Sequence, residues 1–172
     1  GATVLQAMAG CVERAVLVSS GSVYRSFGVL VGSEPGPIVG EPSREDAPLR
    51  HRLYPYLQAQ SRPVDDPRAW LDGYDKIPAE QAYLAAHSVS ASVLRLPMVY
   101  GPGDPAGRLE PYLQRMRDRR SAILLRHTCA AWRNSRSCVD NAAWAIACVA
   151  LRGVAGRVYN VCEPDDATEK NW

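Results

Sequence analysis

Two residues in the stretch "YDKIPAEQA" (74–82) invite a chemical reading: Lys76 and Glu80, four positions apart. On a helix, residues spaced by four lie on one face. A lysine so placed lowers the pKa of a neighbouring tyrosine by its charge, which lets a phenol exchange protons near neutral pH. Four residues before the lysine stands Asp72, and the nearest tyrosine is Tyr74. On a regular helix, positions four apart differ by about 40° around the axis and positions two apart by about 200°, so Tyr74 would point away from Lys76. Two readings stay open. Asp72, Lys76 and Glu80 form a solvated ladder of alternating charge, or the helix starts irregularly at Gly73 and brings Tyr74 to the lysine.

Further candidates stand where strands end. "VLVSSGSVYR" (16–25) closes an apolar, β-branched run with two serines, and "LRLPMVYGPGD" (94–104) closes another with proline and glycine. Ser20 offers a hydroxyl that both donates and accepts. The competing reading is a serine that closes the strand end by bonding the backbone.

These residues need an alternating scaffold. The sequence predicts a short helix in "ATVLQAMAGCV", a strand in "RAVLVSS", a long loop from Ser33 to Arg68, and a helix from about Gly73 to Ala86. There follow a strand "SASVLRLPMVY", a glycine-punctuated turn "GPGDPAG", a helix "LEPYLQRMRDRR", a short strand "AILL" and an extended "AAWRNSRSCV". A helix "DNAAWAIACVALRG", with Gly153 as its C-cap, and a strand "GRVYNVC" complete the chain. Strands alternating with helices predict an α/β fold with a mostly parallel sheet, whose ligands bind beyond the carboxyl ends of the strands.

Composition excludes several classes. With 20 basic and 18 acidic residues in 172, no global field favours nucleic acid or a membrane surface. "QRMRDRR" carries Asp118 and no interleaved aromatics, so it reads as a solvated helix face. Five cysteines without a C-x-x-C pair argue against a disulfide framework or a metal site. No run reaches the roughly 18 apolar residues of a membrane span, and a soluble, cytoplasmic protein is expected. Gly1 in place of Met, and the unterminated "ATEKNW", are read as marks of a piece of something longer.

"SS-x-x-VY", the Lys-x-x-x-Glu helix, "R-x-P-x-VYGPGD" and "RVYNVCEP" (157–164), in this order, resemble the extended short-chain dehydrogenase/reductase family, the NAD-dependent epimerases and dehydratases. The likeness runs from about Val12 to Trp172. It lacks the opening strand, G-x-x-G-x-x-G turn and helix that hold the cofactor pyrophosphate. "GPGDPAG" and "GSEPGPIVG" contain prolines, which donate no N–H, and neither is read as having strand–turn–helix context.

The resemblance implies one truncated, partial Rossmann-like domain over 1–172. Residues 1–104 form the second half of its core, and 105–172 a small substrate-side portion with returning core elements. Ser20 falls on the catalytic hydroxyl position and Lys76 on the lysine that bonds the nicotinamide ribose. Asp72 occupies the tyrosine's position, with Tyr74 as its possible replacement. The resemblance further implies NAD or NADP as cofactor, held by Ser19, Ser20, Lys76, Pro97, Met98 and Val99. A small hydroxyl- or carbonyl-bearing substrate, sugar-like in many members, would meet Gly21, Ser22, Arg108, Arg133 and Arg136. Two of these positions depart from the nucleotide-sugar pattern. Gly21 and Ser22 replace the acidic pair of the dehydratases, and Met98 replaces an asparagine that holds a substrate diphosphate. The expected function is an NAD(P)-dependent oxidoreductase or epimerase, inactive as this piece and completed by an N-terminal segment or a homodimer partner. The alternative is a non-catalytic relative that binds a ligand or a partner chain.

Overall fold

The computed structural model describes residues 2–37, 43–57, 61–164 and 167–171. The last residues of "GSEPGPIVG", 38–40, and Trp172 lie outside the described residues. In chain order the elements are α1 (Ala2–Met8), β1 (Arg14–Ser20), α2 (Arg25–Leu30), α3 (Ile77–Leu84), β2 (Ser90–Leu96) and β3 (Met98–Tyr100). They continue with α4 (Glu110–Arg117), α5 (His127–Ala130), β4 (Arg136–Cys138), α6 (Val139–Arg152) and β5 (Val158–Asn160). The result is an α/β fold, partial Rossmann-like, in which every strand pair is parallel.

The main sheet runs β1-β2-β5. β2 lies in the middle, and its five inner residues are all buried. A central parallel strand needs such a run because helices cover both of its faces. On one face, Ala15, Ala91 and Val93 pack with Leu5 of α1 and Tyr83 of α3. α6 lies along β1 and β2 as well. Among the described residues β1 pairs with β2 alone, and its Val18 remains 37 % exposed.

The run "SASVLRLPMVY" is not one strand. Pro97 has no N–H for the ladder. β2 therefore ends at Leu96, and β3 turns away to pair with β4, Met98 opposite Arg136 and Tyr100 opposite Cys138. The predicted strand "AILL" does not form; Leu124 is 94 % exposed. With no strand edge beside it, an apolar quartet has no ladder partner for its backbone. α2, directly after "SVY", is a helix that the sequence reading passed over.

Two local features differ in detail from expectation. Gly153 does cap α6, its N–H donating to Val149 O at 2.8 Å, but with φ −60° and not in the left-handed region. Glycine is required there by space: an added Cβ would stand 2.5 Å from Val149 O and 3.1 Å from Ser92 Oγ. Gly153→Ala is expected to cost about 1–3 kcal/mol by overpacking, read as a lower urea midpoint with unchanged slope. The turn "GPGDPAG" does join a strand, β3, to a helix, α4. Its Asp104 carboxylate accepts from Ala106 N at 3.1 Å and from Arg108 N, just beyond the turn, at 2.9 Å. Among the described residues no helix is long and apolar enough to cross a membrane.

Candidate functional site

The carboxyl ends of β1 and β2 lie side by side, Ser20 opposite Leu96, so that Ser20 and Pro97 stand at the edge of the sheet where such folds open a crevice. Ser20 caps a short 3-10 turn, Gly21–Val23, and its Oγ accepts from Ser22 N at 3.2 Å. That is the backbone-closing role, and it leaves the hydroxyl proton free to donate. Alternation along β1 turns Ser19 to the opposite face. There its Oγ donates to Glu80 Oε1 at 2.5 Å in a buried position. The Ser19 side chain is thus withdrawn from the cofactor contact expected of it.

The regular helix from Gly73 does not exist. A 3-10 turn covers Ala69–Gly73, Tyr74 is extended (φ −84°, ψ 115°), and α3 starts at Ile77 with Lys76 as its N-cap. Two residues set this start. Pro78 suits the first helical turn, where its missing N–H costs nothing. The Asp75 carboxylate accepts from Ile77 N at 2.9 Å. Pro78 after an aspartate was the available sequence signal for this boundary.

The charge ladder dissolves with the helix. Asp72 pairs with Arg62 through both backbone and side chain. Glu80 is 1 % exposed and holds Arg95 through two bonds, at 3.0 and 2.7 Å. Lys76 turns to the strand end, its Nζ donating to Val18 O at 3.1 Å. The same Nζ lies 5.5 Å from the centre of the Tyr74 ring. Tyr74 is therefore the tyrosine beside the lysine, contrary to the regular-helix expectation. Its phenol is pushed up from its ordinary value, first by burial and then by Tyr56 and Asp75.

Two buried networks hold this geometry, and neither was read from the sequence. In the first, Arg50 donates to Ser22 O at 2.6 Å, Arg52 O at 2.5 Å and Asp75 Oδ1 at 2.9 Å. Both side chains of the Arg50–Asp75 pair are essentially sealed from solvent. It ties the residue two beyond Ser20 to the residue before Lys76. In the second, Arg95 donates to the Tyr24 hydroxyl at 2.8 Å while that hydroxyl donates to Asn160 Oδ1 at 2.7 Å. Asn160 Nδ2 donates to Ser43 O at 2.8 Å, which fastens the long loop to the ends of β2 and β5.

The other expected contacts disperse. Met98 is in the β3–β4 ladder, its sulfur 3.7 Å from Asn134 Nδ2. Val99 and Arg108 line a pocket of about 170 Å³ together with the turn at 101–105 and Val139. Arg108 is committed to Asp104. Arg136 is buried and pairs with Glu169, and Arg133 bridges to Thr168. The three arginines thus sit on the second sheet's side of the molecule and not around Ser20. Gly21 and Ser22 remain at the crevice, with the Ser22 carbonyl occupied by Arg50.

This arrangement, a parallel sheet with polar side chains at adjacent carboxyl ends, defines a Rossmann-like class of fold. Solved structures share it. RMD from Pseudomonas aeruginosa, complexed with NADPH, superposes with a TM-score of 0.63 at 21 % identity, over 96 % of this chain and 51 % of its own. dTDP-glucose 4,6-dehydratase from Bacillus anthracis, in complex with NAD, gives 0.55 at 19 %, over 89 % and 41 %. A functionally unknown conserved protein from Silicibacter pomeroyi gives 0.54 at 20 %, over 97 % and 46 %. The chain spans about half the length of these structures or somewhat less. No protein-family model and no curated protein matches it.

Proposed function

We propose that the chain is the substrate-side half of an NAD(P)-dependent oxidoreductase of the epimerase/dehydratase type, acting on a small hydroxyl- or carbonyl-bearing substrate. The observation that carries this reading is the meeting of Lys76 with both Tyr74 and the β1 end that terminates in Ser20. The likeness to two nicotinamide-dinucleotide complexes supports it.

The residues fit one end of such a cofactor. The Lys76 ammonium and the Ser20 hydroxyl are donors suited to a ribose and a reacting carbonyl, with Pro97 just after the adjacent strand end; Met98 and Val99, drawn into the second sheet, take no part. For the other end the sequence holds no G-x-x-G-x-x-G turn, and in the turn between β3 and α4 the Asp104 carboxylate already accepts from Ala106 N and Arg108 N. When bound, the dinucleotide supplies or accepts the hydride. Lys76 then orients, Ser20 donates a hydrogen bond to the substrate oxygen, and Tyr74 holds the proton. The edge of β1 that pairs with no strand among the described residues supports docking of a pyrophosphate-binding half there, from further chain or from a second copy.

A second reading rests on two observations. Asp72 is locked to Arg62, and the Tyr74 phenol is pushed up and not down. Both suit a non-catalytic relative that keeps the crevice for binding. Joining the chain to a dinucleotide-binding half and following NADH or NADPH oxidation with simple aldehydes and ketones separates the two. Turnover that falls with Ser20→Ala and Lys76→Met supports the enzyme; none in any pairing supports the binder.

The chain alone has a plainer expectation. Each charge-assisted bond absent from the pyrophosphate is worth about 1.5–3 kcal/mol, and two such losses weaken binding by hundreds-fold or more. Calorimetric titration with NAD and NADP is expected to give nothing tighter than about millimolar. A micromolar constant would mean that another segment replaces the cradle.

A further inference from the structure

Two further aromatic rings gather on Tyr74, the ring beside Lys76, and the chemistry above uses neither of them. Trp70 lies in the 3-10 turn and is 63 % exposed. Its ring meets Tyr74 edge to face, centroids 5.6 Å apart at 83°. Tyr56 stands against Tyr74 from another side, at 5.9 Å and 55°.

The base of this ledge is rigid. Tyr54 has φ 53°, a left-handed conformation that a bulky side chain adopts only when its surroundings impose it. What imposes it is Asp75, whose carboxylate accepts from Tyr54 N at 2.7 Å while the sealed Arg50 pair holds that carboxylate in place. One exposed tryptophan is ordinary on a protein surface. Three rings in mutual contact, one of them next to an ammonium and another two residues from a turn that a buried ion pair holds, form a preorganised surface.

The local charge selects the ligand. Asp72 and Asp75 are matched by Arg62 and Arg50. Lys76 spends one hydrogen bond on Val18 O, and an ammonium carries three donors. Beside the Tyr74 ring the ammonium thus has donors to spare, next to π-faces that favour a flat partner.

We propose that the Trp70–Tyr74–Tyr56 ledge binds the planar ring of an aromatic carboxylate, whose carboxylate accepts a hydrogen bond from Lys76. This deepens the functional reading, on which it rests for calling the ligand a substrate. Binding itself needs no dinucleotide, so the two fail separately.

Benzoate, cyclohexanecarboxylate and benzamide make the test on the 172-residue chain, with nuclear magnetic resonance of the indole N–H signals as readout. The first comparison ligand keeps the charge and loses planarity; the second keeps the ring and loses the charge. Benzoate is expected to shift the Trp70 signal and to bind about tenfold more tightly than either. Trp70→Ala should abolish the preference over cyclohexanecarboxylate, and Lys76→Met the preference over benzamide. Trp144→Ala, on the exposed face of α6, should change neither. Equal affinity for benzoate and cyclohexanecarboxylate overturns the proposal, as do shifts confined to other indoles or no shift at all. The comparison on the unaltered chain decides the matter even if Lys76→Met does not fold.

Discussion

Arg95→Met is expected to destabilise the protein by about 3–5 kcal/mol, the usual consequence of stranding one charge of a buried ion pair. Glu80 and Arg95 side chains are 2 % and 4 % exposed, and the two bonds between them are the fork-to-carboxylate kind. Methionine fills much of the volume but leaves the Glu80 carboxylate, among the described residues, with the Ser19 hydroxyl alone. It also removes the donor to Tyr24 and the guanidinium lying 4.7 Å from that ring's centre. Burial opposes the Arg95 charge, yet hydrogen bonds and charge from Glu80 and Tyr24 outweigh it, and the guanidinium is held above its ordinary range. A domain has only about 5–15 kcal/mol in total, so the variant stands near the edge of folding. Urea unfolding followed by circular dichroism measures the loss. Adding Glu80→Met should restore most of it, because a buried pair replaced as a whole by apolar groups is often neutral. A loss below about 1 kcal/mol would be the value of a solvated surface pair and would sink the burial argument.

The second large effect concerns the tyrosine. In a protein that joins this chain to a dinucleotide-binding half, Tyr74→Phe is expected to slow carbonyl reduction by about 100-fold or more, the range of a lost general acid. Asp72→Ala should leave turnover nearly unchanged and lower stability, since Asp72 serves Arg62 and the backbone of the loop. The pH profile carries the sign. Burial first, then Tyr56 and Asp75, raise the Tyr74 phenol above its ordinary value near 10. It is therefore fully protonated through the neutral range and poised to give a proton. Reduction should stay level through neutral pH and fall only above about pH 10, whereas oxidation, which needs the phenolate, should climb toward that pH. A reduction rate that already declines near pH 7 would show a phenol lowered by Lys76 and would overturn this assignment. Unchanged turnover in Tyr74→Phe would leave the ring a packing role only.

Most strands and helices were readable because their signals are local. β-branched apolar runs gave β1, β2 and β5, and a long amphipathic stretch ending at a glycine gave α6. Strand ends rich in hydroxyls and glycines pointed to Ser20 and Pro97, and the parallel register sets those two strand ends side by side. Errors fell where a single residue redirects the chain. Pro97 splits one apparent strand between two sheets, and Pro78 with Asp75 starts a helix four residues later than its charge spacing implied.

By itself, then, the sequence determined the alternation of strands and helices, the parallel sheet and the end of it at which polar side chains collect. Only the tertiary structure decided what the charges do. A carboxylate four residues after a lysine looks the same whether it is solvated or buried. Glu80 became a core residue because its partners, Arg95 and Ser19, are 15 and 61 positions away and meet it only when β1, β2 and α3 pack together. Tyr74 came to Lys76 for a similar reason. The Arg50–Asp75 pair, 25 positions apart, closes only in the folded chain, and it fixes the extended residue from which α3 begins.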